Sequence, residues 1–206
     1  METPSAAYEK FVASMEMNYE KWHDGEGYDL DAVKNVTATE RDRLVELLRD
    51  RLKDSPDWRE VEALGAIGGE AAIKVMRDAL PRANAQIRLR LERQLAEMGE
   101  LANIEDAIIA ALRGTNLYGG FTQAIDMAEE HPTPRIRETL LDLALNGSDE
   151  KRIHCAALAL YLGGKAASAF DWNHRPFFLR FSQNDRRVQI EAYKELCERL
   201  GMEPKI

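Results

Sequence analysis

Gly68-Gly69-Glu70-Ala71-Ala72 recurs as Gly163-Gly164-Lys165-Ala166-Ala167, and each copy follows an Ala/Leu-rich stretch. The starts of those stretches, Pro56-Asp57-Trp58-Arg59 and Glu150-Lys151-Arg152-Ile153, also superpose roughly. A glycine pair permits left-handed geometry free of steric cost, so each motif reads as a helix end, followed in the first copy by a new helix from Glu70. Working outward, the same grammar covers the chain. Tyr8, Phe11, Val12, Met15, Tyr19 and Trp22 follow helical spacing and predict one amphipathic helix from about Ser5 to His23. Thr37-Ala38-Thr39-Glu40 has the form of a capping box, in which Thr and Glu each bond the other's free backbone N–H, and opens a helix to about Lys53. Ser55-Pro56 signals another start, because proline in the first turn gives up no needed N–H.

Further helices are expected over Glu70–Leu80, Asn84–Met98, Asn103–Arg113, Phe121–Glu130, Thr133–Asn146, Asp149–Leu162, a short one near Arg175–Ser182, and Asp185–Leu200. No segment suggests a strand, and the total is about eleven helices joined by short turns. Helix pairs begin near 56, 84, 120, 149 and 185. A repeat of about 28–36 residues, in which no unit can bury its apolar face alone, is the physical pattern of an α-solenoid.

The repeated units carry a polar start, an Ile/Val–Arg pair, an Ala/Leu face and a terminal glycine. Examples are Asn84-Ala85-Gln86-Ile87-Arg88, Thr133-Pro134-Arg135-Ile136-Arg137, and Asn184-Asp185-Arg186-Arg187-Val188 with Ala192, Leu200 and Gly201. In these features residues 55–201 resemble the HEAT-like repeat family in its short-repeat form. The Asp149-Glu150-Lys151-Arg152-Ile153 unit departs from it by reversing the Arg and Ile order. The resemblance implies an all-α, right-handed α-solenoid of stacked antiparallel helix pairs. Residues 1–54 would form an acidic N-terminal helical cap on repeats at 55–206, in one continuous domain. It implies a curved binding surface and no particular reaction.

The 206 residues hold 36 acids and 28 Lys/Arg, a formal charge of −8, which argues against a broad basic surface for nucleic acid and for a basic partner. The asymmetry concentrates at the N-terminus, where Glu2, Glu9, Glu16, Glu20, Asp24, Glu26, Asp29 and Asp31 face only Lys10 and Lys21. The longest apolar runs, such as Ala156–Leu162, fall far short of the ~20 residues that cross a bilayer, so no membrane span is expected. The opening Met1-Glu2-Thr3-Pro4 lacks an export signal's basic and apolar regions, which makes a cytoplasmic location the expectation.

The sequence carries none of the common catalytic or cofactor-binding motifs. Phosphate-cradling G-x-x-x-x-G-K-S/T, dinucleotide G-x-G-x-x-G, zinc H-E-x-x-H and nucleophile G-x-S-x-G patterns do not occur. His23, His131, His154 and His174 lie far apart, and Cys155 and Cys197 read as small buried hydrophobes. No cofactor, metal or catalytic residue is indicated.

Two stretches are candidate sites. In His23-Asp24-Gly25-Glu26-Gly27-Tyr28-Asp29-Leu30-Asp31, the carboxylates of Asp24, Glu26, Asp29 and Asp31 with the Tyr28 ring combine charge with an aromatic anchor for a protein partner. A solvated helix face, or a loop wrapping a hard cation, are the alternatives for those acids. Phe170–Phe181 holds five aromatics around Asp171, His174 and Arg175. They read as a repeat core, as a binding ridge using Trp172, His174 and Arg175, or as an acid/base pair of Asp171 and His174. The glycine connection Tyr118-Gly119-Gly120-Phe121 is expected to pack its aromatics inward.

Acidity, compact size and absence of catalytic motifs are similar to HEAT-like immunity proteins encoded beside bacterial polymorphic toxins. This resemblance implies a non-enzymatic module that neutralises a basic toxin or effector domain by occluding its active or substrate-binding surface. The alternatives are a HEAT-like enzyme acting on nucleic acid or a ligand, as in the DNA glycosylases and bilin lyases of that fold, and a general assembly adaptor. A glycosylase would need a basic groove, which only Arg175, Arg180, Arg186 and Arg187 begin to supply.

Overall fold

The computed structural model describes residues 3–100 and 103–206, apart from the Tyr118 side chain. Glu2 and the Tyr118 ring, both part of the sequence reading, lie outside the described residues. The described residues form thirteen α-helices and four short 3-10 turns, with no strand. They are α1 (Ala6–Ser14), α2 (Tyr19–His23), α3 (Leu30–Val33), α4 (Ala38–Asp54), α5 (Trp58–Ile67), α6 (Gly69–Ala79) and α7 (Ala85–Glu97). There follow α8 (Ile104–Gly114), α9 (Phe121–Glu130), α10 (Pro134–Asn146), α11 (Asp149–Leu162), α12 (Arg175–Phe178) and α13 (Arg186–Leu200). The chain divides into two compact units, Met1–Ile104 and Glu105–Ile206.

Local capping chemistry sets most boundaries. Thr37 and Glu40 form the expected reciprocal box at the start of α4. Glu40 also receives the Ser5 backbone N–H at 2.6 Å and the Ser5 hydroxyl at 2.9 Å, so one carboxylate starts α4 and ties down the entry to α1. Asn84, Thr133 and Asp185 cap α7, α10 and α13 by accepting backbone N–H groups. The start expected at Ser55-Pro56 moves to Asp57, whose carboxylate takes both the Arg59 N–H and the Arg59 guanidinium.

The single helix expected from Ser5 to His23 is instead two. Met15 ends α1, and Asn18 starts α2 by accepting the Lys21 N–H at 2.9 Å. Lys21 Nζ then bonds the Glu16 carbonyl across the break. The break takes Tyr19 and Trp22 off the apolar face that buries Phe11 and Met15.

In the first unit α5 is the hub, packing against α3, α4, α6 and α7. Phe11, Leu44, Leu48, Leu64, Met76 and Leu95 are among its buried side chains. In the second unit α11 holds the equivalent place, against α9, α10, α12 and α13. Every residue of α11 from Cys155 to Leu160 is buried, as expected of a helix apolar all round. Buried Arg152 clips it in position, donating Nε to the Phe181 carbonyl at 2.8 Å and Nη1 to the Gly147 carbonyl at 2.7 Å.

The two hubs are the helices that precede the glycine pairs, yet the pairs turn differently. Gly68 and Gly69 both have positive φ, 67° and 82°. Gly164 is positive at 69°, whereas Gly163 has an ordinary φ of −79° and lies against the Leu200 side chain.

Candidate functional site

Two aromatic residues of the acidic N-terminal segment, Tyr19 and Trp22, face water. Tyr19 is 74% and Trp22 62% exposed, with ring centroids 6.2 Å apart, and Met17 is exposed beside them. Large apolar side chains displayed together, on a helix with no buried residue, are what interfaces use as anchors. Among the described residues, Glu9, Glu16, Glu20 and Glu26 are exposed and make no ion pair. Asp24 is exposed and sits 3.1 Å from His23 Nδ1.

The other predicted residues of this loop have structural partners. Asp29 caps α3 through the Ala32 N–H at 3.0 Å and pairs with Lys10 at 2.7 Å. The Lys10 hydrogen bond, then the Ala32 N–H, holds its carboxyl below the usual range. Asp31 pairs with Lys34 at 2.7 Å, three residues along the helix. With these two charges offset, the open negative field comes mainly from Glu9, Glu16, Glu20, Asp24 and Glu26.

Tyr28, read from sequence as a displayed anchor, lies inside at 8% exposure. Its ring meets Phe11 edge-on at 6.0 Å, and its hydroxyl donates to Glu60 Oε1 at 2.5 Å. Arg51 Nη1 approaches the same hydroxyl at 3.4 Å. Burial raises the pKa of both Tyr28 and Glu60. Buried Arg59 donates Nε to the Glu26 carbonyl at 2.6 Å, so α5 holds the loop from below while the Asp24 and Glu26 side chains remain exposed. The anchors on view are therefore Tyr19 and Trp22, which helical periodicity had assigned to the core. Asn18 as a helix start was the sequence signal that would have placed them outside.

In the second unit the aromatic stretch splits. Phe177, Phe178 and Phe181 are buried, whereas Phe170 is exposed and Trp172 is 75% exposed with the Arg175 guanidinium 4.8 Å from its ring. The His174 ring packs 6.1 Å from Phe178, and its Nδ1 lies 3.5 Å from Arg199 Nη1. The Asp171 carboxylate accepts backbone N–H groups of Asn173 at 2.9 Å and Ala167 at 3.2 Å, which lower its pKa. No hydrogen bond joins the Asp171 and His174 side chains among the described residues, so a proton-relay pair is not assembled. Of the four arginines expected to begin any basic groove, Arg180 pairs with Glu195, and Arg186 donates to the Leu145 carbonyl and Asn146.

Cys155 and Cys197 are buried, as expected, and burial pushes the Cys155 thiol up to about 12. Among the described residues no group of three or more His, Cys, Asp or Glu side chains is arranged to hold a metal ion. No described helix is long and apolar enough to cross a membrane. Compared with family models, curated proteins and solved structures, the chain gives no match.

Proposed function

We propose that the protein is a non-enzymatic binding module whose N-terminal acidic face docks a basic protein and occludes its working surface. The observation that carries this reading is the exposed Tyr19–Trp22 pair on a segment of unpaired carboxylates. The aromatic rings supply desolvated anchors, and the acids speed encounter and disfavour acidic competitors. Asp24 and Glu26 belong to this face, Asp29 and Asp31 support its loop, and Tyr28 holds the loop from inside. Trp172 and Arg175, with His174 beside them, offer a further exposed aromatic contact in the second unit.

The scaffold is read as short HEAT-like repeats in an α-solenoid. Support comes from sequence neighbours that pack on one another, α4 with α5, α5 with α6, α6 with α7 and α10 with α11, and from the recurrent hub helix before each glycine pair. On that scaffold an acidic docking face fits an immunity protein that neutralises a basic toxin in the cytoplasm. If the toxin is a nuclease, the carboxylates take the place of its substrate's phosphates.

The test is affinity capture of the tagged protein from its native cells at low and high salt, with the Tyr19→Ala/Trp22→Ala variant alongside. A single stoichiometric basic protein is expected, weakened by salt, inhibited in its own activity, and lost from the variant. Loss of two central anchors should cost at least about 2 kcal/mol, roughly thirtyfold in affinity. Retention of a nucleic acid or small molecule in place of a protein, or equal capture by the variant, would overturn the proposal.

A further inference from the structure

Trp22 forms one wall of an open cavity of about 330 Å³, lined also by Met15, Met17, Tyr28, Asp54 and Glu60. That volume is in the range of pockets that take small ligands, and it is ample for one long side chain. Glu60 is the chemically informative wall. It is only 3% exposed, its Oε1 is occupied by the Tyr28 hydroxyl, and its Oε2 has no hydrogen-bond partner. A buried acceptor left unpaired is uncommon in proteins and costly, and it marks a place where a donor is wanted.

The two arginines that also line the cavity do not supply that donor. Arg59 is committed to the Glu26 carbonyl and Asp57. Arg51 reaches only the Tyr28 hydroxyl, at 3.4 Å. Asp54, Asp57 and Glu60 outnumber these two cations at the walls, and Glu16, Glu20 and Glu26 on the flanking segment make no ion pair. The site therefore favours a cation that also donates hydrogen bonds. Its apolar walls narrow the choice. A flat guanidinium stacks on an indole face and along polarisable thioethers, and it sheds water more readily than a compact ammonium.

We propose that this cavity seats one arginine side chain of the basic partner, its guanidinium against Trp22 and paired with the Glu60 carboxyl, which turns its sealed Oε2 toward the incoming donor. This rests on the docking reading given above and specifies the group that the partner inserts. Trp22 then serves two purposes, as an exposed anchor and as the wall of the arginine seat.

The experiment titrates the ¹⁵N-labelled protein with Nα-acetyl-L-arginine amide, and separately with the neutral isostere Nα-acetyl-L-citrulline amide, at constant ionic strength. The indole N–H signals of Trp22, Trp58 and Trp172 are assigned by single Trp→Phe variants. The arginine amide should move the Trp22 signal saturably with a Kd on the order of 1–10 mM, and the citrulline amide should bind at least about tenfold more weakly. Glu60→Gln should abolish the shift, whereas Asp78→Asn, which alters an exposed acid outside the cavity, should keep it. A still Trp22 signal, an equal response to citrulline, or a shift retained in Glu60→Gln would overturn the proposal. If Glu60→Gln does not fold, the arginine–citrulline comparison on the unaltered protein still decides. Capture of a basic protein without arginine binding would sink the pocket and spare the docking face. Arginine binding with no captured protein would sink the docking reading instead.

Discussion

Replacing Tyr28 by Phe removes one oxygen atom from the interior and isolates what that atom does. The ring stays, so its edge contact with Phe11 at 6.0 Å and its apolar burial are kept. What is lost is the hydroxyl that donates to Glu60 Oε1 at 2.5 Å. Because Oε2 already has no partner, both oxygens of a carboxyl that is 3% exposed are then unsatisfied. A buried hydrogen bond to a charged group contributes about 1.5–3 kcal/mol, and the expected loss at pH 7 lies in that range. The Tyr28 bond also restrains the Glu60 pKa, which burial raises above 4.5, so the variant should raise it further. A raised carboxyl pKa means that the folded state binds more protons, and its stability falls as pH rises through the folded value. The loss should therefore be smaller near pH 4 than at pH 7. Urea unfolding followed by circular dichroism at both pH values measures it. The double variant Tyr28→Phe/Glu60→Leu should recover much of the loss, since removing both partners leaves no buried charge unpaired. A loss under about 0.5 kcal/mol with no pH dependence would refute this reasoning, because that is the range of an ordinary surface change.

Glu40, held by the Ser5 and Thr37 backbone N–H groups, has its pKa lowered from 4.5 to about 2. Its contribution to stability is present above 4.5 and lost as pH falls toward 2, so Glu40→Gln should flatten the acid limb of a thermal-stability profile over that window. Gly147 ends α10 with an ordinary φ of −71°, but a Cβ there would lie 2.5 Å from the Leu143 carbonyl oxygen. Gly147→Ala should lower stability by about 1–3 kcal/mol, read as a lower urea midpoint, and an unchanged midpoint would show that the turn can relax. Trp22→Ala should change the unfolding free energy by no more than about 0.5 kcal/mol, read from urea unfolding, because the residue faces water; a large drop would mean that it supports the fold rather than displays an anchor.

The helix grammar was legible wherever a boundary depends on neighbours in sequence. Phe121–Glu130, the Thr133-Pro134 start and Asp149–Leu162 fall where they were expected, because capping residues, proline and apolar spacing act within a few positions. The break after Ser14 was masked, since Tyr19 and Trp22 continue the helical spacing and outweigh the local signal of Asn18, which restarts the chain. Tyr28 could not be placed from its acidic neighbours, because its partner Glu60 is 32 residues away on another helix. Asp31 with Lys34 follows the familiar helical spacing, whereas Asp29 with Lys10 required the fold. The aromatic stretch shows the same limit. Phe177, Phe178 and Phe181 are buried while Phe170 and Trp172 are not, a division made by how the 175–182 turns pack on α11 and α13 rather than by composition.

The most direct test of the acidic aromatic face is site-specific photocrosslinking in native cells, with Tyr19→p-benzoylphenylalanine keeping an aromatic ring at the anchor. A matching probe at Trp172 reports on the second unit. One basic protein joined at position 19 in high yield, less so at high salt, is the predicted result. Crosslinks to no protein at position 19, or to a partner reached only from position 172, would contradict it.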